Sequence, residues 1–212
     1  MTDNNSGKTP VTASNKNRIR LHWIAKTGIL SAIAIVLMYL EFNLPFMPIF
    51  LKFDFSEIAV LLAAFSMGPL TAILVELIKN LANLMFEGTI TGGVGELANF
   101  VIGSIFTGTA GLIYKLHKSR RNAIIGMAGG TVAMTIGASL INYYLMLPLY
   151  ITMMGWPVEA LVGTAQSVGN TLVTDLKTLI IWVFVPFNLF KGIVISVIVG
   201  FIYKRVSPLL HK

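Results

Sequence analysis

Residues 178–203 form an apolar run long enough to cross a bilayer, yet Val185-Pro186-Phe187-Asn188-Leu189-Phe190-Lys191-Gly192 sets an amide and an ammonium three residues apart inside it. Hydrocarbon offers the backbone no hydrogen-bond partners, so a run of this length must be helical. On a helix, Asn188 and Lys191 share one face, where they can hold the same polar object or line the same wet cavity. An ionisable side chain at such a depth marks a functional site.

Similar runs recur along the 212 residues, of which only 12% are charged, far below the roughly 25% of soluble domains. The expected fold is an all-α integral membrane protein with six transmembrane helices. A disordered cytoplasmic tail is expected over 1–20, and a six-helix membrane substrate-binding domain over 21–212. The spans are expected at about 22–40, 54–67, 70–86, 94–114, 123–147 and 178–203. The net charge of +7 sits mostly between these runs, so it orients the protein in the membrane rather than binding nucleic acid. Lys16, Arg18 and Arg20, the Lys115–Arg121 segment and Lys204-Arg205 fall on one side; Glu41, Glu87, Glu159 and Asp175 fall on the other. The positive-inside rule then puts both termini in the cytoplasm. No small-residue cleavage site follows the first run, which argues against a signal peptide. With no Cys, and His only at 22, 117 and 211, metal chemistry is not expected.

Several features stand out in order. Gly28 and Ala32 leave a shallow strip on the first span, suited to internal packing or to contact with another subunit. Pro45 and Pro48 break the segment 41–52 into an ordered loop, either a lid or a surface-dipping element. Asp54 or Ser56 suits a helix cap, and Glu57 suits the positive end of the second helix. Glu76, Lys79, Asn80 and Asn83 form a polar stripe on the third, with Glu76 and Lys79 expected to pair. The glycine-rich turn 87–96 lacks the preceding strand and the GK[ST] of a phosphate loop, so nucleotide binding is discounted there. Gly126, Gly129 and Gly130 permit close helix contact in the fifth span, and Asn142-Tyr143-Tyr144 closes it with an amide and aromatic rings. The loop 151–177 contains Trp156-Pro157, with room for a short amphipathic helix.

In this topology Asn142 approaches Asn188 and Lys191 near the outer face. The resulting pocket suits a ligand with an apolar planar part and a polar edge. Fixed positive charge is too sparse for a strongly anionic ligand. No Walker A motif is present, so any ATP use falls to partners.

FDFSEI, MGP, ELIKN, GELANF, NYYLMLPLY and PFNLFKG, in this order, resemble the riboflavin-specific substrate-binding (S) components of energy-coupling-factor (ECF) vitamin transporters over about residues 22–206. The resemblance implies a bacterial plasma-membrane subunit that captures riboflavin from outside. Its partners would be a transmembrane coupling subunit and two cytoplasmic ATPases. It implies no enzymatic activity and no cofactor, riboflavin being the transported ligand. The family's ring-gripping side chains correspond to Asn142, Asn188 and Lys191, and its coupling-subunit strip to Gly28 and Ala32, with glycine where alanine is more usual. Leu44, Phe46 and Tyr144 are expected to enclose the rings. Two rivals stand beside this reading. One is a stand-alone secondary transporter energised through Glu76, Lys79 and Glu96. The other, an intramembrane enzyme, lacks any Ser/His, Asp/Asp or metal-ligand set within the spans.

Overall fold

The computed structural model describes residues 13–89 and 91–210, with side chains over 16–89 and 91–203. The tail expected over 1–20 lies outside the described residues as far as residue 12. From Ala13 the chain is already helical, in α1 (Ala13–Met38). Next come α2 (Glu57–Met67), α3 (Pro69–Phe86), α4 (Val94–Leu116) and α5 (Arg120–Ile141). Helix α5 continues through a π-helical turn, Asn142–Met146, into α6 (Leu147–Met154). The long loop carries α7 (Val158–Ser167). The chain then enters α8 (Leu176–Leu179), a second π-helical turn at Ile180–Phe184, and α9 (Val185–Leu210). Asp175 opens α8 with a capping box, accepting from Thr178 N at 2.7 Å; the Thr178 backbone and hydroxyl hold its carboxyl below the usual range.

Five helical stretches among the described residues are long and apolar enough to cross a membrane: Lys16–Met38, Pro69–Phe86, Val94–Leu116, Arg120–Met154 and Leu176–Tyr203. Of the six expected spans, the second, Glu57–Met67, is a shorter apolar helix. Helix α2 has 11 residues, about 17 Å, little more than half of a ~30 Å hydrocarbon core. It is bounded by Asp54 before and Gly68-Pro69 after, and it is buried along most of its length. Phe65 near its end packs on Tyr114 and Tyr203, late in α4 and α9, while Asp54 just before its start meets Lys191. Helix α2 therefore fills only the half of the bundle nearer the C-terminal end of α9. Its missing other half is replaced by a hairpin: Phe42–Asn43 pairs antiparallel with Lys52–Phe53, and the proline-bearing loop lies between them.

Close helix approach comes from small residues. A Cβ at Gly126 would lie 2.7 Å from Ala110 O, and one at Gly130 would lie 2.6 Å from Phe106 O. The obstacle in each case is backbone on α4, which cannot rotate away. Gly130→Leu should therefore force α4 and α5 apart and lower stability by about 3 kcal/mol, the upper end of typical overpacking. Gly28→Leu provides the control, because a Cβ there meets nothing within 4 Å. The comparison is made on the thermal unfolding midpoints of the detergent-solubilised variants.

Candidate functional site

In the half of the bundle that α2 leaves unfilled lies a cavity of about 160 Å³. The hairpin contributes Phe50, Leu51 and Lys52; α4 contributes Glu96, Asn99 and Gly103; the two π-turned helices contribute Asn142, Tyr150, Phe184, Phe187, Asn188 and Lys191. The sequence thus brought three of its chosen polar residues, Asn142, Asn188 and Lys191, to one cavity, and all three are buried.

Both amides are held by the same local device. Pro148 and Pro186 lack an N–H, and their rings exclude the carbonyl four residues earlier. Each is preceded by a wide turn in which the next helix begins from a five-residue hydrogen bond: Leu147 N to Asn142 O, and Val185 N to Ile180 O. Asn170 Nδ2 donates to the displaced Trp182 carbonyl at 3.4 Å. Asn142 opens the first turn and Asn188 follows the second; Asn142 Nδ2 donates to Ala138 O and Asn188 Nδ2 to Phe184 O, both at 2.8 Å. Each amide is thereby oriented, with its Oδ1 acceptor and its second N–H uncommitted among the described residues.

Lys191 is not a free cation. Its Nζ donates to Asp54 Oδ2 at 2.9 Å, and Asp54 Oδ1 accepts from Ser56 N at 2.8 Å and from the Ser56 hydroxyl. Asp54 is itself buried, so its carboxylate is compensated by the Lys191 ammonium and the Ser56 donors. Asp54 and Glu57 therefore do more than begin a helix. Lys79, 0% exposed, donates to Ser56 Oγ at 2.6 Å and to Glu57 Oε1 at 2.8 Å, and lies 2.8 Å from Glu76 Oε2. The expected Glu76–Lys79 pair is present, and Glu57 joins it from another helix.

Of the other polar positions, Asn80 cross-links α3 to α4, accepting from Asn99 Nδ2 at 3.1 Å, while Asn83 lines the cavity. Glu96 accepts from Thr89 at 3.0 Å and Thr91 at 3.2 Å within the glycine-rich turn. Glu76 and Lys79 sit in a closed cluster and Glu96 in this separate turn, a poor arrangement for a relay through the bundle.

The aromatic walls differ from those expected. Leu44 packs half-buried on the core, and Phe46 and Tyr144 are 72% and 73% exposed, none of them lining the cavity. Phe46 occupies the left-handed region at φ 64°, in the tight loop between the two prolines. Tyr144 lies edge-on to Tyr143 and suits a membrane-interface ring. The rings that do face the site are Phe50, stacked on Phe184 at 6.2 Å, Tyr150, stacked on Trp156 at 5.8 Å, and Phe187. Helical spacing carried this signal: Phe184 and Phe187 stand four residues before Asn188 and Lys191. The long loop closes this side, with Leu161, Val162 and Ala165 of α7 packed in one cluster with Met146, Leu147 and Tyr150.

On α1, Gly28 and Ala32 are exposed, whereas Ser31 and Ala34 turn inward. Internal packing thus uses the neighbours of the small-residue strip and leaves the strip itself open.

A multi-pass helical membrane protein with an oriented-amide, aromatic-walled cavity near one end is a solute-binding membrane protein. The match over residues 22–203 to the family "ECF transporter, substrate-specific component" makes the kind specific. The chain belongs to this family: it is the substrate-specific component of an ECF transporter, a transport protein of the bacterial membrane and not an enzyme. It is 39% identical over 185 residues to riboflavin transporter RibU of Staphylococcus aureus (strain TCH60), covering 87% of this chain and 90% of that protein. It is 37% identical over 186 residues to riboflavin transporter FmnP of Bacillus subtilis (strain 168), with 87% and 92% covered. A solved S component of a bacterial ECF transporter superposes with a TM-score of 0.72 at 36% identity, covering 91% of this chain and 99% of that one.

Proposed function

We propose that this chain captures riboflavin and mediates its uptake, driven by an energy-coupling module. The observation that carries this reading is the pair of pre-oriented amides, Asn142 and Asn188, beside the rings of Phe50, Tyr150, Phe184 and Phe187. A planar tricycle with an alternating acceptor–donor–acceptor edge fits them: the rings cover its faces, and each amide offers both an acceptor and a donor. Lys191, held by Asp54, presents its remaining N–H groups to a ring acceptor or a polyol oxygen. The naming of both relatives as riboflavin transporters supports the same ligand.

The partners in this reading are a transmembrane coupling subunit, seated on the open strip at Gly28 and Ala32, and two cytoplasmic ATPases. Both termini face the cytoplasm, as the basic segments favour, and the cavity opens outward. ATP hydrolysis by the partners drives inward release, and no bond is made or broken in this subunit.

Purified protein should be yellow and should quench flavin fluorescence at equimolar ratio; a colourless preparation that leaves the fluorescence unchanged would overturn the assignment. Asn142→Leu and Asn188→Leu should remain folded, because each side chain bonds a carbonyl of its own helix. Each should weaken riboflavin by about 10- to 100-fold, the scale of a buried hydrogen-bond pair left half-made. Titration of flavin fluorescence on the folded variants reads this out.

A further inference from the structure

Glu57 lines the cavity at 1% exposure, at the start of the shortened helix α2. Its Oε1 is held by Lys79 at 2.8 Å, but its Oε2 is buried with no hydrogen-bond partner among the described residues. A buried carboxylate oxygen without a donor is costly, and it is tolerated where another molecule supplies the donor. Gly103, another lining residue, lets the Glu57 and Glu76 carboxylates pack directly against α4 at the edge of the cavity. A Cβ there would overlap Glu76 Oε1 and come within 2.8 Å of Glu57 Oε1.

An ionised carboxylate only accepts, so its partner must be an O–H or N–H group. On the riboflavin reading, which this inference takes as its premise, the single ring N–H belongs to the edge met by Asn142 and Asn188. The donors that remain are the hydroxyls of the polyol arm. We infer that Glu57 is a further ligand-binding residue, accepting through Oε2 a hydrogen bond from a polyol hydroxyl of the flavin. Lys79 fixes this carboxylate from behind, and the Asp54–Lys191 pair closes the site beside it. Glu57 would thus read the arm, while the two asparagines read the ring.

The test compares riboflavin with lumiflavin, which has the same ring system and a methyl group in place of the arm. Glu57→Met removes the acceptor and leaves Lys79 paired with Glu76 at 2.8 Å. Riboflavin affinity should fall by about tenfold or more, while lumiflavin affinity changes by less than about twofold. An equal fall for both ligands, or no fall for riboflavin, would overturn the inference. Should the variant not fold, wild-type protein is titrated with riboflavin analogues each lacking one hydroxyl: at least one should bind about tenfold more weakly, and uniform affinities would overturn it. Wild-type protein that binds neither flavin would instead defeat the riboflavin assignment. Equal affinity of the wild type for both flavins would defeat the role of Glu57 alone.

Discussion

Lys79→Met should cost about 3–5 kcal/mol of stability, the scale of removing one partner from a buried ion pair. The reason lies in the count of charges around it. Lys79 lies 2.8 Å from both Glu57 and Glu76, and these side chains are 0–1% exposed, so its loss leaves two buried acids side by side without the ammonium that pairs them. Neutralising both acids as well, in Glu57→Gln/Glu76→Gln/Lys79→Met, should recover most of the loss, because a buried charge cluster can be replaced by neutral groups of similar volume far more cheaply than it can be broken. Thermal midpoints in detergent distinguish the two outcomes. A single variant as stable as wild type would show that Lys79 does not compensate these acids.

The second large effect is expected at Lys191. Taken as a ligand-gripping residue on an otherwise apolar face, it would be replaceable with no cost except to binding. Its 2.9 Å pair with buried Asp54 predicts a further consequence: Lys191→Met should both weaken flavin binding and destabilise the protein by about 3–5 kcal/mol, by stranding Asp54. Lys191→Met/Asp54→Asn should restore stability but not affinity. Binding and folding are thereby separated, and a double variant that regained full affinity would remove Lys191 from the site.

Asn142, Asn188 and Lys191 were legible in the sequence because hydrocarbon makes any polar side chain conspicuous. Asp54 and Glu57 were hidden by a plausible local role: an acid beside the start of a helix reads as a cap or a dipole partner, and the contact that redefines Asp54 is 137 residues away. The short extent of the second span was hard to read for a related reason. Residues 41–56 and 57–67 together supply enough apolar length for one crossing, and composition does not reveal that only the second part is helical. The ring-facing residues were harder still, since Phe46 and Tyr144 are chemically as suitable as Phe50 and Tyr150. Which of them turns inward depends on a left-handed residue between two prolines and on a wide turn in a helix, neither of which leaves a periodic trace. The Glu76–Lys79 pair, by contrast, lies within one helix turn, where spacing alone suffices.

The two wide turns also bear on how such a protein can change over time. Each accommodates an extra residue within an otherwise regular helix, and one residue corresponds to about 100° of rotation. A single deletion within Asn142–Met146 would swing Tyr150 and everything beyond it around the helix axis, while the packing of Gly126 and Gly130 against α4 stayed in register. Insertions and deletions at these two places can re-aim the cavity walls without disturbing the bundle below. New solute preferences then become accessible by small steps in length, on a framework whose mating surfaces stay constant.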